Sequence, residues 1–328
     1  MMLDICGKSQ IIEHVQVNYC EARKDTSDMS HGSTHRPTAD QDDPHNHKHT
    51  GTSAFLNLSD RFFAPLDRHI VAWLQLAPGS RVLDAGCGGG GMTRLLAQAV
   101  GSGGEVVGLD ANPQLIEWDR SQVKDTDVAG QIQFQEGDVL HLPFEDGTFD
   151  LVWCSRVVHG LSDQVAGVRE LARVVRPGGR VVLREGGLPP QFLPFDVGLG
   201  DPGLEGRLGV AQAQRFANWR GSLPNGVAYP YGWSHMLREV GLNSVLSRSF
   251  LHEFASPLEA SQKDYLEAWL SGYLHAPGHE HRLSTQDIST LEQLLDPASP
   301  QYVFARDDLH GIVVETIYVG SLSDGNHV

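Results

Sequence analysis

From Phe55 onward, apolar and polar positions alternate between two kinds of stretch. Short apolar runs predict strands over Arg81–Gly86, Gly104–Asp110, Gln131–Asp138, Phe149–Ser155 and Arg180–Glu185. Between them, apolar residues recur every three or four positions, the spacing of one buried helix face. Met92, Leu95, Leu96 and Ala99 make one such face, and Val165, Val168, Leu171, Ala172 and Val175 make another. Pro113–Lys124 reads as a further helix, and Pro177-Gly178-Gly179 stops the helix before the fifth strand. Upstream, Leu66, Ile70, Trp73 and Leu74 line a helix that Pro65 is placed to open.

Strands that alternate with helices require crossover connections. The pattern therefore predicts an α/β fold: a Rossmann-like, mostly parallel sheet with helices on both faces. Ligands in such sheets bind outside the carboxyl ends of the strands. Residues 188–231 read as a cap insertion rich in Pro, Gly and aromatics. After it come a helix over GWSHMLREVG, a strand over VLSRSFLHEF, helices over Ser261–Tyr273 and Thr285–Leu295, and a last strand over Gly311–Gly320. With that strand and VLSRSFLHEF the sheet has seven strands.

Residues 1–52 differ from the rest. Glu21–Thr52 is rich in Ser, Thr, Asp, His and Pro with almost nothing to bury, so a largely flexible N-terminal segment is expected. Its His45, His47 and His49 form a histidine-rich tract of the kind that binds metals, but no Cys or carboxylate completes a regular ligand spacing, and no metal site is predicted.

Charge narrows the function. The 328 residues carry 25 Lys+Arg against 41 Asp+Glu, a net charge of −16. Binding to nucleic-acid phosphates relies on Lys and Arg, so nucleic acid is not an expected partner. Neither a signal peptide nor an apolar run of membrane-spanning length is read, and Cys6, Cys20, Cys87 and Cys154 form no C-x-x-C pair. A cytoplasmic enzyme without membrane insertion is expected.

The densest chemical signal is VLDAGCGGGG over residues 82–91, where a strand runs through glycines into a helix. Glycine lets a ligand approach the backbone, and the first amides of the helix have no partner within it. Gly86, Gly88 and Gly91 satisfy G-x-G-x-x-G, and Asp110 follows near the distance of a dinucleotide-binding acid, so a nicotinamide oxidoreductase is an alternative. Asp84 argues against it, because an anion beside a pyrophosphate is unfavourable, whereas a carboxylate suits a cationic amine and a sulfonium. Asp110 and Asp138 close the next two strands, where they can accept from a ribose diol and an exocyclic adenine amine. R-P-G-G precedes the fifth strand.

With VLDAGCGGGG, VVGLDANP, EGDVLHLPFEDGTFDLVWCSRVVHGL and RELARVVRPGGRVVLRE in this order, the chain resembles the class I S-adenosylmethionine-dependent methyltransferases. Within them it is most similar to the ubiquinone/menaquinone-biosynthesis-like group of small-molecule enzymes. The resemblance is strong from Arg81 to about Gly187 and weak to Leu242. It implies a methyltransferase domain over residues 53–328, with a cofactor-binding core at 78–187 and C-terminal strands and helices at 232–320. It also implies that Asp84, Gly86 and Gly88 hold the methionine part of S-adenosylmethionine, with Gly90 beside them. Asp110 and Ala111 would take the ribose, Asp138 and Val139 the adenine, and Ser155 would lie near the cofactor.

Methyl transfer to a hydroxyl or acidic carbon also needs a base. His159, just beyond the fourth strand, is the leading candidate, Glu185 the second and His235 a weaker third. The cap aromatics Phe195, Trp219, Tyr229, Tyr231 and Trp233 are candidate contacts for a hydrophobic acceptor. At the end of the fourth strand CSRV replaces the Pro-containing motifs expected of DNA methyltransferases. A non-catalytic S-adenosylmethionine-binding module is the remaining alternative.

Overall fold

The protein is described here from a computed structural model, which covers residues 50–275 and 283–324. The N-terminal tract with His45, His47 and His49 lies outside the described residues. In chain order, helix α1 (Thr50–Leu74) leads into β1 (Arg81–Ala85), α2 (Gly91–Val100), β2 (Glu105–Asp110), α3 (Pro113–Val123), β3 (Ile132–Glu136) and β4 (Phe149–Ser155). There follow α4 (Gln164–Arg173), β5 (Val175–Gln191), α5 (Leu204–Ser222), α6 (Trp233–Glu239), β6 (Asn243–Ala255), α7 (Ala260–His275), α8 (Thr285–Leu295) and β7 (His310–Ser321).

The seven strands form one sheet in the order β3-β2-β1-β4-β5-β7-β6. Neighbours from β3 to β5 pair in parallel, while β7 runs antiparallel to both β5 and β6. Period-two alternation sends the side chains of each central strand to two cores. In β4, Leu151 and Trp153 join the core under α1, α2 and α7, and Val152 and Cys154 join the core under α4 and α6. Both faces are covered, as expected of a parallel sheet. Cys154 is fully buried in the second core.

Three elements depart from the sequence expectation. Pro65 lies inside α1 rather than at its start. A proline there removes one helical hydrogen bond and crowds the carbonyl four residues back. Burial outweighs that cost: Phe62, Phe63, Leu66, Ile70 and Leu74 are all at most 2% exposed, on both sides of Pro65. Tyr265 of α7 stacks on Phe62 at 4.3 Å and fixes α1 to α7. Second, β5 does not stop at Glu185 but continues to Gln191, because β7 supplies a partner as far as Gln191↔Ile312. Third, the cap insertion contains the 19-residue helix α5. Its apolar face is short, with Leu204, Leu208 and Ala211 buried near its start, so it carried little periodic signal.

Candidate active site

β1 delivers Asp84 to the carboxyl edge, and the chain then turns on glycines. Gly86 and Cys87 donate to Leu109 O at the end of β2, at 2.6 and 3.0 Å, which ties the turn to the neighbouring strand. Gly88 and Gly90 have φ of 58° and 68°, the left-handed region that a side chain disfavours. Gly90 is the N-cap of α2, so the first amides of that helix open onto the turn without a capping side chain.

The three carboxylates sit at successive strand ends. Asp84 is 1% exposed and accepts from Thr93 Oγ1 at 2.6 Å. Burial pushes its pKa up to about 7, against the lowering effect of the Thr93 hydrogen bond. Asp110 accepts from the amides of Gly88 at 3.1 Å and Asn112 at 2.9 Å. Asn112, not Asp110, caps α3 by accepting from Gln114 N, with Pro113 in the first turn. A carboxylate has about four acceptor positions, so Asp110 keeps acceptor capacity beyond these two bonds. Ala111 follows it, partly buried. Asp138 accepts from Leu140 N at 2.9 Å and approaches His141 Nδ1 at 3.3 Å, while Val139 is buried in the second core.

A cavity opens between α1 and the glycine turn, lined among others by Asp60, Asp84, Gly88, Ser155, Arg156 and Arg184. Its far wall is an ionic network. Arg184 donates from Nη1 to Asp67 at 2.8 Å and from Nε to Glu315 at 3.0 Å, and Arg156 also pairs with Glu315. Both guanidiniums lie about one ring-contact distance from Phe63, at 4.8 Å for Arg156 and 5.0 Å for Arg184. Arg156 holds a left-handed φ of 54° directly after Ser155. Burial opposes ionisation of Glu315, yet its two arginines keep its pKa below the ordinary range; for Asp67 burial prevails and raises it.

His159 and Glu185 form one unit. Glu185 is 1% exposed, and its Oε1 accepts from the amides of Val157, Val158 and His159 at 3.1, 2.9 and 3.3 Å. Its Oε2 lies 2.8 Å from His159 Nδ1. An ionised carboxylate only accepts, so this contact assigns a proton to Nδ1 and the lone pair of the neutral ring to Nε2. The last turn of α5 covers this loop. Phe216 lies 5.6 Å from the His159 ring and 5.6 Å from Trp219, and Arg220 donates to Leu161 O and, at 3.4 Å, to His159 O.

The other cap aromatics are not gathered there. Phe195 is 79% exposed and flanks Gly203, just before α5, some 16 residues and so roughly 24 Å of helix from Trp219. Tyr229 and Trp233 pack on the second core, and the Tyr231 ring lies tilted 4.6 Å from that of the exposed His235.

Residues 83–183 match the family described as a methyltransferase domain. A demethylmenaquinone methyltransferase of Lactiplantibacillus plantarum is 36% identical over 126 residues, 38% of this chain and 53% of that protein. The ubiquinone/menaquinone biosynthesis C-methyltransferase UbiE of Ectopseudomonas mendocina is 38% identical over 118 residues, 36% of this chain and 46% of that protein. The chain thus spans about half the length of the curated relatives it matches. The YcgJ protein of Bacillus subtilis aligns with a TM-score of 0.48 at 19% identity, covering 78% of this chain and 98% of that one.

Residues 83–183 thus match a methyltransferase domain. Over part of its length the chain is similar to methyltransferases of ubiquinone and menaquinone biosynthesis. The methyltransferase core of residues 83–183 contains the glycine turn, Asp110, Asp138, Ser155 and His159. Asp60, Asp67, Arg184, Glu185, Glu315 and α5 lie outside it. Sequence reasoning missed Asp60, Asp67, Arg156, Arg184 and Glu315. Two signals pointed to three of them: Asp60 and Asp67 share one face of α1 with Phe63, and Arg184 interrupts the apolar run VVLRE.

The methyltransferase core fits its cofactor on structural grounds. The turn offers backbone without side chains, the carboxylates of Asp110 and Asp138 stand side by side at adjoining strand ends, and the buried Asp84 lacks a cation within hydrogen-bonding distance among the described residues.

Proposed function

We propose that the protein is an S-adenosylmethionine-dependent methyltransferase that moves a methyl group to a small, apolar metabolite. The observation that carries this reading is the row of Asp138, Asp110, Asp84 and Ser155 along the ends of β3, β2, β1 and β4. That row meets an adenine amine, a ribose diol and a cationic amino acid in order. When bound, the cofactor supplies an electrophilic methyl group on a sulfonium. The chain then has to align the acceptor with that methyl and exclude water, and orientation supplies much of the rate.

In this reading the acceptor sits over the ends of β4 and β5, with Phe216 and Trp219 as its apolar wall. His159 Nε2 takes the acceptor proton, and Glu185 is a positioning residue that sets the ring and its tautomer. The relatives named for demethylmenaquinone and for ubiquinone/menaquinone synthesis support a quinone-type aromatic acceptor. Phenol and activated ring-carbon acceptors both carry the proton that such a base removes.

Titration calorimetry with S-adenosylhomocysteine and with NADH tests the cofactor. Binding of the adenosyl ligand alone is expected, and binding of NADH alone would sink the proposal. A mass-spectrometric screen of aromatic and quinone-type acceptors for a methyl-sized gain then identifies the product.

A further inference from the structure

The cavity beneath α1 holds two charged groups that the fold leaves incompletely matched, one an acceptor and one a donor. Asp60 Oδ2 is buried without a hydrogen-bond donor among the described residues; Arg94 Nη2 lies 3.7 Å away, an ion-pair distance only. Arg184 is 4% exposed, and its Nη2 has no acceptor among the described residues, although its Nε and Nη1 are both engaged. Both residues line the same cavity as Asp84 and Gly88. A buried donor or acceptor without a partner loses its hydration with nothing in exchange, and a charged one loses most. A simple cation would leave Arg184 unmatched, and a simple anion would leave Asp60 unmatched. A group bearing an ammonium and a carboxylate on one carbon satisfies both.

Charge points the same way. Asp67 and Glu315 are matched by Arg184 and Arg156, which leaves Asp60 with Arg94 at 3.7 Å and Asp84 without an ion pair among the described residues. The surplus of negative charge lies beside the glycine turn. The turn is also shaped for Asp60: a Cβ on Gly91 would collide with its carboxylate, and one on Gly89 would come within 2.9 Å of Oδ2.

We propose that this cavity receives an α-amino-acid zwitterion, with Asp60 and Asp84 holding the ammonium and Arg184 Nη2 donating to the carboxylate. The assignment rests on the proposed function, in which the methionyl group of the cofactor is that zwitterion. It makes α1 and β5, both contributing from outside residues 83–183, part of cofactor recognition. Asp60 is the residue that reads the amino group from the far side of the cavity.

The test is a two-by-two titration of the full chain. Wild type and Asp60→Asn are each titrated with S-adenosylhomocysteine and with its analogue lacking the amino group. Loss of a charge-assisted hydrogen bond predicts roughly tenfold to hundredfold weaker binding of S-adenosylhomocysteine by Asp60→Asn. The deamino analogue is expected to bind wild type equally weakly, with no further loss in Asp60→Asn. Equal binding of S-adenosylhomocysteine by both proteins, or two losses that add in full, would overturn the assignment while leaving the methyltransferase reading in place. Wild type that binds neither ligand defeats both.

If Asp60→Asn does not fold, the wild type supplies the second measurement. Asp60 faces Asp67 on its own helix, Arg94 and the Gly91 amide of α2, Asp84 of β1, Asp119 of α3 and Arg184 of β5. Burial raises its pKa to about 6 and that of Asp84 to about 7. The preference for S-adenosylhomocysteine over the deamino analogue should therefore shrink as pH falls from about 8 to about 5. A preference constant over that range overturns the assignment.

Discussion

The two halves of the carboxyl edge are wired differently. At the ends of β1, β2 and β3, the strand-end carboxylates find partners nearby in the chain: Asp138 and Asp110 each bond an amide two residues on, Asp84 bonds Thr93 nine residues on, and Asp110 bonds Gly88 over 22 residues. At the ends of β4 and β5, Arg184 reaches Asp67 across 117 residues and Glu315 across 131, and Arg156 reaches Glu315 across 159. The local half is built mostly from bonds within its own strand–turn–helix stretch, with Asp60 of α1 packed against Gly91 as its link to the rest. The distant half exists only when α1, β5 and β7 have assembled around it.

The contrast can be broken most strongly at Arg184. Arg184→Met would leave Asp67 and Glu315 buried with one cation fewer, and removing one partner of a buried pair costs about 3–5 kcal/mol. Urea unfolding should show that loss, whereas Asp138→Asn, which alters a locally bonded and partly exposed carboxylate, should shift the midpoint little. Similar costs at both sites would erase the distinction.

Next in size is the effect at the proposed base, His159. His159→Ala should lower kcat by about a hundredfold or more, within the range for a lost general base, and leave S-adenosylhomocysteine affinity nearly unchanged. Glu185→Gln should retain acceptors for the loop amides but present a different partner to Nδ1, so its signature is a displaced pH–rate profile. Unchanged turnover in His159→Ala removes it as the base.

A smaller effect belongs to the glycine turn. Gly91→Ala should destabilise by about 1–3 kcal/mol, an overpacking cost. In an Asp60→Ala background that cost should largely vanish. Two thermal-melt losses that simply add would show that α1 does not govern the turn.

The smallest is a pH effect on the ligand-free protein. Burial raises the pKa of Asp60 to about 6, Asp84 to about 7 and Asp119 to about 8, from an ordinary value of 3.8. These groups hold protons more tightly folded than unfolded, so between about pH 4 and 8 their contribution to stability is lost as pH rises. The melting temperature should fall from pH 6 to pH 8, and Asp119→Asn should flatten that slope. A slope unaffected by the substitution would remove Asp119 from this account.

Legibility in the sequence follows the same division. The glycine turn, the strand ends at Asp110 and Asp138, and the alternation of strands and helices are short-range patterns that periodicity and spacing express directly. His159 and Glu185 were each visible as candidates, but their union was not, because 26 residues and a crossover separate them. Pro65 misled because local backbone preference says nothing of the tertiary packing of Phe62, Phe63 and Leu66. The helix α5 was hidden by its short apolar face. Of the five cap aromatics, only Trp219 stands beside the His159 loop, because the others answer to different neighbours along a long connection.

The fit of Gly91 against Asp60 has a practical corollary for protein engineering. Glycines in such a turn are commonly credited to the nucleotide they admit, yet here one of them is reserved for a helix that precedes it by some thirty residues. A transplant of residues 83–183 into another scaffold would carry the notch without the part that fills it. The smallest portable unit therefore begins upstream of Asp60, and library designs that vary α1 should vary position 91 together with it.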